Sequence, residues 1–198
     1  MVGAEGLQVG VAPSGDGRSP GGYWAGAYWA WAGAHGGAGT TTLWGAVPGG
    51  ADFGRSLPEE AGSPGLPAVV VCRSHAQGLA AARGTARRAA SLGTRVLGLV
   101  VVADMPERRR PKPLAEALYL TQGAYEETWE VPWVPAWRLG EAPAPANSPP
   151  QVRELRAGIW GALGLPPPGG ANQKDKGPEK TGPKKTRDQK RQGGKGQK

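Results

Sequence analysis

Gly33-Ala34-His35-Gly36-Gly37-Ala38-Gly39-Thr40-Thr41-Thr42-Leu43 is the stretch on which the reading of this chain turns. It follows a short, aromatic-rich apolar segment and leads into residues suited to a helix. Strand, glycine loop, helix is the layout of a phosphate-binding loop, in which glycines let backbone N–H groups turn toward a phosphate at a helix N-terminus. The lysine that such a loop normally carries is absent. Two readings therefore stand side by side: a loop that still holds a nucleotide through its backbone, or a glycine turn that only joins a strand to a helix.

Upstream of the loop, Tyr28 to Ala32 alternates large and small side chains, Trp29 and Trp31 against Ala30 and Ala32, which predicts a strand. Downstream, a short helix is expected from Thr41 to Val47, ended by Pro48-Gly49-Gly50. Residues 48–67 read as loop. Ala68 to Cys72 is a β-branched run suited to a strand buried on both faces. Ser74 is placed to cap the following helix, which runs to Leu92 and stops at Gly93. On it Leu79, Ala82, Ala86, Ala89 and Ala90 share one side. Val96 to Ala103 is a third strand, Pro106 to Pro113 a charged turn with Arg108-Arg109-Arg110, and Leu114 to Thr121 a helix. Trp129 to Val134 reads as a short strand, and Gln151 to Leu163 as an amphipathic helix with Val152, Leu155, Ile159 and Leu163 at helical spacing. Strands alternating with helices imply parallel β-α-β units, so the fold expected is α/β with a mostly parallel sheet and flanking helices. In such sheets ligands bind beyond the carboxyl ends of the strands, where the glycine loop lies.

Composition sets the boundaries. Of 198 residues, 34 are Gly and 20 Pro, a share that usually marks disordered stretches, and the excess sits at the ends. Residues 1–22 and 164–198 are expected to be disordered, and residues 23–163 to form the folded domain. The net charge is +8, yet residues 171–198 alone hold ten Lys/Arg against three acidic residues. The remainder is nearly neutral, so this is a globule with a basic tail rather than a basic domain. The tail has no aromatics for base stacking. It suits sequence-independent contact with nucleic acid or simple solubilisation. The lone Cys72 cannot form an intramolecular disulfide. No apolar run approaches the about 18 residues that would span a bilayer, and no secretion signal is visible, so a cytoplasmic protein is expected.

His35-Gly-Gly-Ala-Gly-Thr-Thr-Thr resembles the deviant Walker A loop of the ParA/MinD family of P-loop ATPases, whose pattern is K-G-G-x-G-K-[ST]-[ST]. Ala68 to Ala89 is similar to a later strand and helix of that family, and Gly98 to Ala103 to its next hydrophobic strand. Val131-Pro132-Trp133 through Arg138-Leu139-Gly140-Glu141 resembles its I-P-x-D…G-x-P segment. The chain also resembles an uncharacterised high-GC bacterial family with a lysine-free loop. The resemblance implies a shortened P-loop fold with ATP or another nucleotide as ligand, and a role in DNA maintenance, positioning or partner regulation. Gly36, Gly37 and Gly39 would shape the phosphate cradle, with Thr40, Thr41 and Thr42 following, and Thr41 would stand where the family places its Mg²⁺-binding hydroxyl.

The departures reshape that expectation. The family's two lysines are His35 and Thr40 here. Each lost charged hydrogen bond costs about 1.5–3 kcal/mol, or roughly one to two decades of affinity. Only 28 residues separate Gly39 from Ala68, too few for the family's intervening strands and helices. Arg73, not an aspartate, follows the strand at Ala68–Cys72, and Asp52 is the lone acidic residue shortly after the loop, so Mg²⁺ and hydrolysis have little support. A nucleoside monophosphate or phosphorylated metabolite is the alternative ligand. A different class of function is a non-nucleotide scaffold whose aromatic surface and basic tail hold protein or nucleic-acid partners.

Among other features, His35 suits a phosphate donor or a solvent-facing loop residue, and His75 a structural role. The eight tryptophans suit the core or a lid on the sheet. Asp104 falls near the position of a base-contacting asparagine in the ParA/MinD family. No spacing of His and Cys marks a metal site, and no nucleophile motif is present.

Overall fold

Trp29–Gly33 (β1) places Trp29 and Trp31 on one face and Ala30 and Ala32 on the other, and every residue of the strand is buried. Two-sided burial means the sheet is covered on both faces, as a parallel sheet requires. The computed structural model describes residues 26–106 and 110–166. Its strands are β1, Gly50–Asp52 (β2), Ala68–Arg73 (β3), Val96–Val102 (β4) and Thr128–Val131 (β5). Its helices are Thr40–Ala46 (α1), Ala76–Leu92 (α2), Lys112–Gln122 (α3), the single turn Pro135–Arg138 (α4) and Pro150–Leu163 (α5). The strands form one sheet in the order β2-β1-β3-β4-β5, and every pairing is parallel. The α/β expectation holds. The termini expected to be disordered lie almost wholly outside the described residues.

The first core layer joins Trp29, Trp31, Val69, Val71, Val100 and Val102 to Leu43 of α1 and to Leu155, Ile159 and Trp160 of α5. On the other face Val70, Cys72, Leu99 and Val101 meet Leu79 and Ala82 of α2 and Leu118 of α3. Trp29, Trp31 and Trp160 are fully buried and meet edge to face, with centroids 5.5–5.7 Å apart. Truncating one such residue typically costs about 3–5 kcal/mol. The three indole N–H groups find no acceptor, a cost of about 1–3 kcal/mol each that the aromatic burial offsets. Trp129 is held between Gly98 of β4 and Gly158 of α5, where any Cβ would collide with its ring.

Several boundaries differ from the sequence reading, each for a local reason. Residues 48–67 are not all loop: β2 pairs with β1 over three residues, too short a run to show periodicity. Helix α1 starts at Thr40, and Val47 is its C-cap. The cap of α2 is His75, whose Nδ1 accepts from the Gly78 N–H at 2.9 Å. Ser74 is spent elsewhere, its buried Oγ accepting from the Asp104 N–H at 3.0 Å. Thr85 takes the buried place on α2 expected of Ala86 and Ala90, and Ala90 is exposed. Helix α3 begins at Lys112 because Pro113 is tolerated in a first turn. Strand β5 ends at Val131, ahead of Pro132, which has no N–H to give a ladder.

Candidate functional site

From β1 the chain crosses to β2 on one side and then back past β1 to β3, β4 and β5 on the other. Connections therefore diverge between β1 and β3, opening the crevice in which sheets of this order bind ligands. The glycine loop leaves β1 at this point. Gly37 and Gly39 have φ of 73° and 110°, a region that L side chains avoid. The turn thus bends back on itself within a few residues and delivers the chain into α1. Gly36, Gly37, Gly39 and Thr40 to Thr42 lie together at this end of the sheet, with Thr40 buried and Gly36, Gly37 and Thr41 exposed.

The side chains around the loop are already committed. Thr41 Oγ1 donates to Asp52 Oδ2 at 2.6 Å, and Oδ1 of the same carboxylate accepts from the Gly54 N–H at 2.9 Å. His35 is half-buried, and both of its ring nitrogens are engaged by the protein itself. Its Nε2 accepts from the Arg73 N–H at 3.1 Å, so the proton sits on Nδ1 and goes to the Gly36 carbonyl at 2.8 Å. Its ring packs against that of His75, with centroids 5.2 Å apart. His35 thus ties the loop to β3.

A guanidinium lies beside the loop. Arg73, at the carboxyl end of β3, donates from Nε to the Gly37 carbonyl at 3.1 Å and from Nη1 to the Ala103 carbonyl at 3.3 Å. A Cβ on Gly39 would lie 3.7 Å from its Nη2. The guanidinium therefore bridges the glycine loop and the end of β4. It borders a cleft also lined by Thr42, Val102, Pro132, Trp137 and Arg138. The enclosed part is about 50 Å³, room for a few waters or one phosphate-sized group, whereas whole-ligand pockets run to roughly 300–1,000 Å³. Burial, and then the like charge of Arg138, push the Arg73 pKa below its ordinary value, while Asp104 opposes the shift. Arg73 nonetheless stays charged. Arg138 lies over the Trp133 ring, 4.5 Å from its centroid.

These residues fit Mg²⁺ poorly. Such an ion takes one or two carboxylates together with phosphate oxygens and water. Thr41 is occupied by Asp52, both oxygens of Asp52 are engaged, and a guanidinium lies beside Gly39. Among the described residues no group of three or more His, Cys, Asp or Glu is placed to hold a metal ion.

Arg73, Arg138 and Asp52 are the residues the sequence reading did not assign to the site. The available signal was an arginine ending a buried strand, Ala68-Val-Val-Val-Cys-Arg73, since the carboxyl end of such a strand faces the ligand crevice. Of the expected arginine run, residues 108 and 109 lie outside the described residues, and Arg110 pairs with Glu130 at 2.6 Å. Asp104 contacts Ser74 through its backbone. Trp137 lines the cleft, Trp133 lies under the Arg138 guanidinium, and Trp44 is exposed on α1. No helix among the described residues is long and apolar enough to cross a membrane.

A family model, described as a family of unknown function (DUF6668), matches residues 27–155, more than half of the chain. The matched span runs from β1 into α5 and takes in the glycine loop, Arg73 and Arg138. The chain belongs to this family. No curated protein and no solved structure matches it.

Proposed function

We propose that this member of a family of unknown function binds a nucleotide through its glycine loop and does not turn it over efficiently, acting as an accessory or regulatory protein in the cytoplasm. The observation that carries the reading is Arg73, which sets a guanidinium against the backbone of a left-handed glycine turn at the β1/β3 divergence. The backbone N–H groups and Arg73 supply positive potential for a phosphate. No carboxylate is placed beside Arg73 on β3 to support a metal or a water nucleophile. The likeness to the ParA/MinD loop is part of this proposal, as is contact of the basic tail with nucleic acid. That tail lies outside the described residues.

Calorimetric titration of the full chain with ATP, ADP and GTP, with and without Mg²⁺, tests it. Saturable binding that disappears in Gly39→Val is expected. No heat at millimolar nucleotide refutes the reading. The second reading, an interaction scaffold, is favoured by Tyr119 and Leu120, adjacent on α3 and 77% and 66% exposed.

A further inference from the structure

Arg73 and Arg138 are 65 positions apart in sequence, yet both border the cleft that continues from the glycine loop across the ends of β3, β4 and β5. Neither is paired with a carboxylate within 4.0 Å among the described ion pairs. Arg73 meets two carbonyls instead. Arg138 meets the face of Trp133, which fixes the position of the guanidinium without cancelling its charge. Trp137, on the same wall, packs against the core with its indole N–H closed off from solvent, and supplies apolar surface to the cleft. Two like charges around a half-enclosed space are unfavourable with nothing between them and favourable around an anion.

We infer that Arg73 and Arg138 form a second anion subsite adjoining the glycine loop, which takes one phosphate of a diphosphate-bearing ligand directly, without a divalent cation. The inference rests on the loop holding the neighbouring phosphate. The reach fits: Arg73 touches the loop at Gly37 and borders the cleft at Ala103, and Thr42 lines the cleft one turn beyond Gly39. The cleft is small and open to solvent, so a phosphate seated in it leaves the organic part of the ligand to extend outward. The guanidinium pair supplies the countercharge that a lysine and a metal ion supply in ordinary phosphate loops. Asp104 is the acidic residue whose charge reaches Arg73, and it weakens this countercharge without cancelling it.

The test is calorimetric titration of the full chain with inorganic pyrophosphate in EDTA and again in Mg²⁺, then with ADP under both conditions. Arg138→Gln removes one charge from an exposed side chain, and a melting curve equal to that of the unaltered protein verifies its fold. Pyrophosphate is expected to bind in EDTA, with affinity reduced about 10- to 100-fold in Arg138→Gln and partly kept in Arg138→Lys. Pyrophosphate binding that requires Mg²⁺, binding unaffected by Arg138→Gln, or no pyrophosphate binding each overturns the inference. ADP binding that ignores Arg138 overturns the subsite and leaves the nucleotide reading standing. Arg138-dependent pyrophosphate binding without ADP binding does the reverse.

Discussion

Replacing Gly39 by alanine separates a working left-handed loop from a merely glycine-rich one. Gly39 sits at φ 110°, ψ 18°, beyond the small left-handed region that L residues tolerate. Holding a non-glycine residue in such a sparsely populated region costs about 1–3 kcal/mol. Steric crowding adds nothing, since the new Cβ would meet Arg73 and Val102 at an ordinary 3.7 Å. Alanine also stiffens the unfolded chain, which favours folding by about 0.4–1 kcal/mol at any compatible site. Gly36 is the internal control: it lies three positions earlier, outside the left-handed region, with open space around its Cβ. The unfolded-state term is common to both variants and cancels, so their stability difference is the strain itself, about 1–3 kcal/mol. Gly37, at φ 73°, should fall between them. Urea denaturation followed by circular dichroism reads this directly, with the slope unchanged so that midpoints can be compared. In a domain of this size the gap corresponds to roughly 3–12 °C in melting temperature. If Gly36→Ala costs as much as Gly39→Ala, or Gly39→Ala is neutral, the backbone argument for the cradle is refuted.

Two further predictions concern the body of the protein. Within α5, Gly158→Ala would drive a Cβ into the Trp129 indole, 2.9 Å from Cε2, while Gly161→Ala meets nothing within 4 Å. Overpacking of about 1–3 kcal/mol against a helix-propensity gain of up to about 1 kcal/mol makes the first destabilising and the second stabilising; thermal melts of opposite sign are expected, and a Gly158→Ala protein that melts higher would sink the packing account. Burial pushes the Cys72 thiol from its ordinary value of 9.0 up to about 12, so the folded state keeps a proton that the unfolded state releases. That contribution is intact below the unfolded value and is lost as pH rises toward 12, a fall of about 1 kcal/mol between about pH 9 and pH 10. The buried Tyr125 hydroxyl, raised above its own ordinary value, adds to the loss at higher pH. Urea midpoints of the unaltered protein and Cys72→Ala should converge on raising the pH over that interval, and parallel curves would contradict the assignment.

The sequence by itself determined whatever depends on neighbours along the chain. Runs such as Ala68–Cys72 and Val96–Val102 carry enough β-branched residues to read as buried strands, and Ala76–Leu92 carries a full apolar stripe with a glycine stop. The glycine loop was legible for the same reason, because its turn requires particular residues at consecutive positions. Tertiary structure decided the rest. Three residues, Gly50–Asp52, become a strand only because β1 offers an edge to pair with, and that pairing accompanies the Asp52 contact with Thr41. The roles of His35 and Ser74 passed to partners 38 and 30 residues away. Arg73 and Arg138 look like unrelated surface charges in the chain. They share a cleft because parallel pairing sets the carboxyl ends of β3, β4 and β5 side by side and delivers the segment after β5 to the same edge as the glycine loop. Local pattern carries no record of that juxtaposition, since it is the sheet order that brings distant strand ends together.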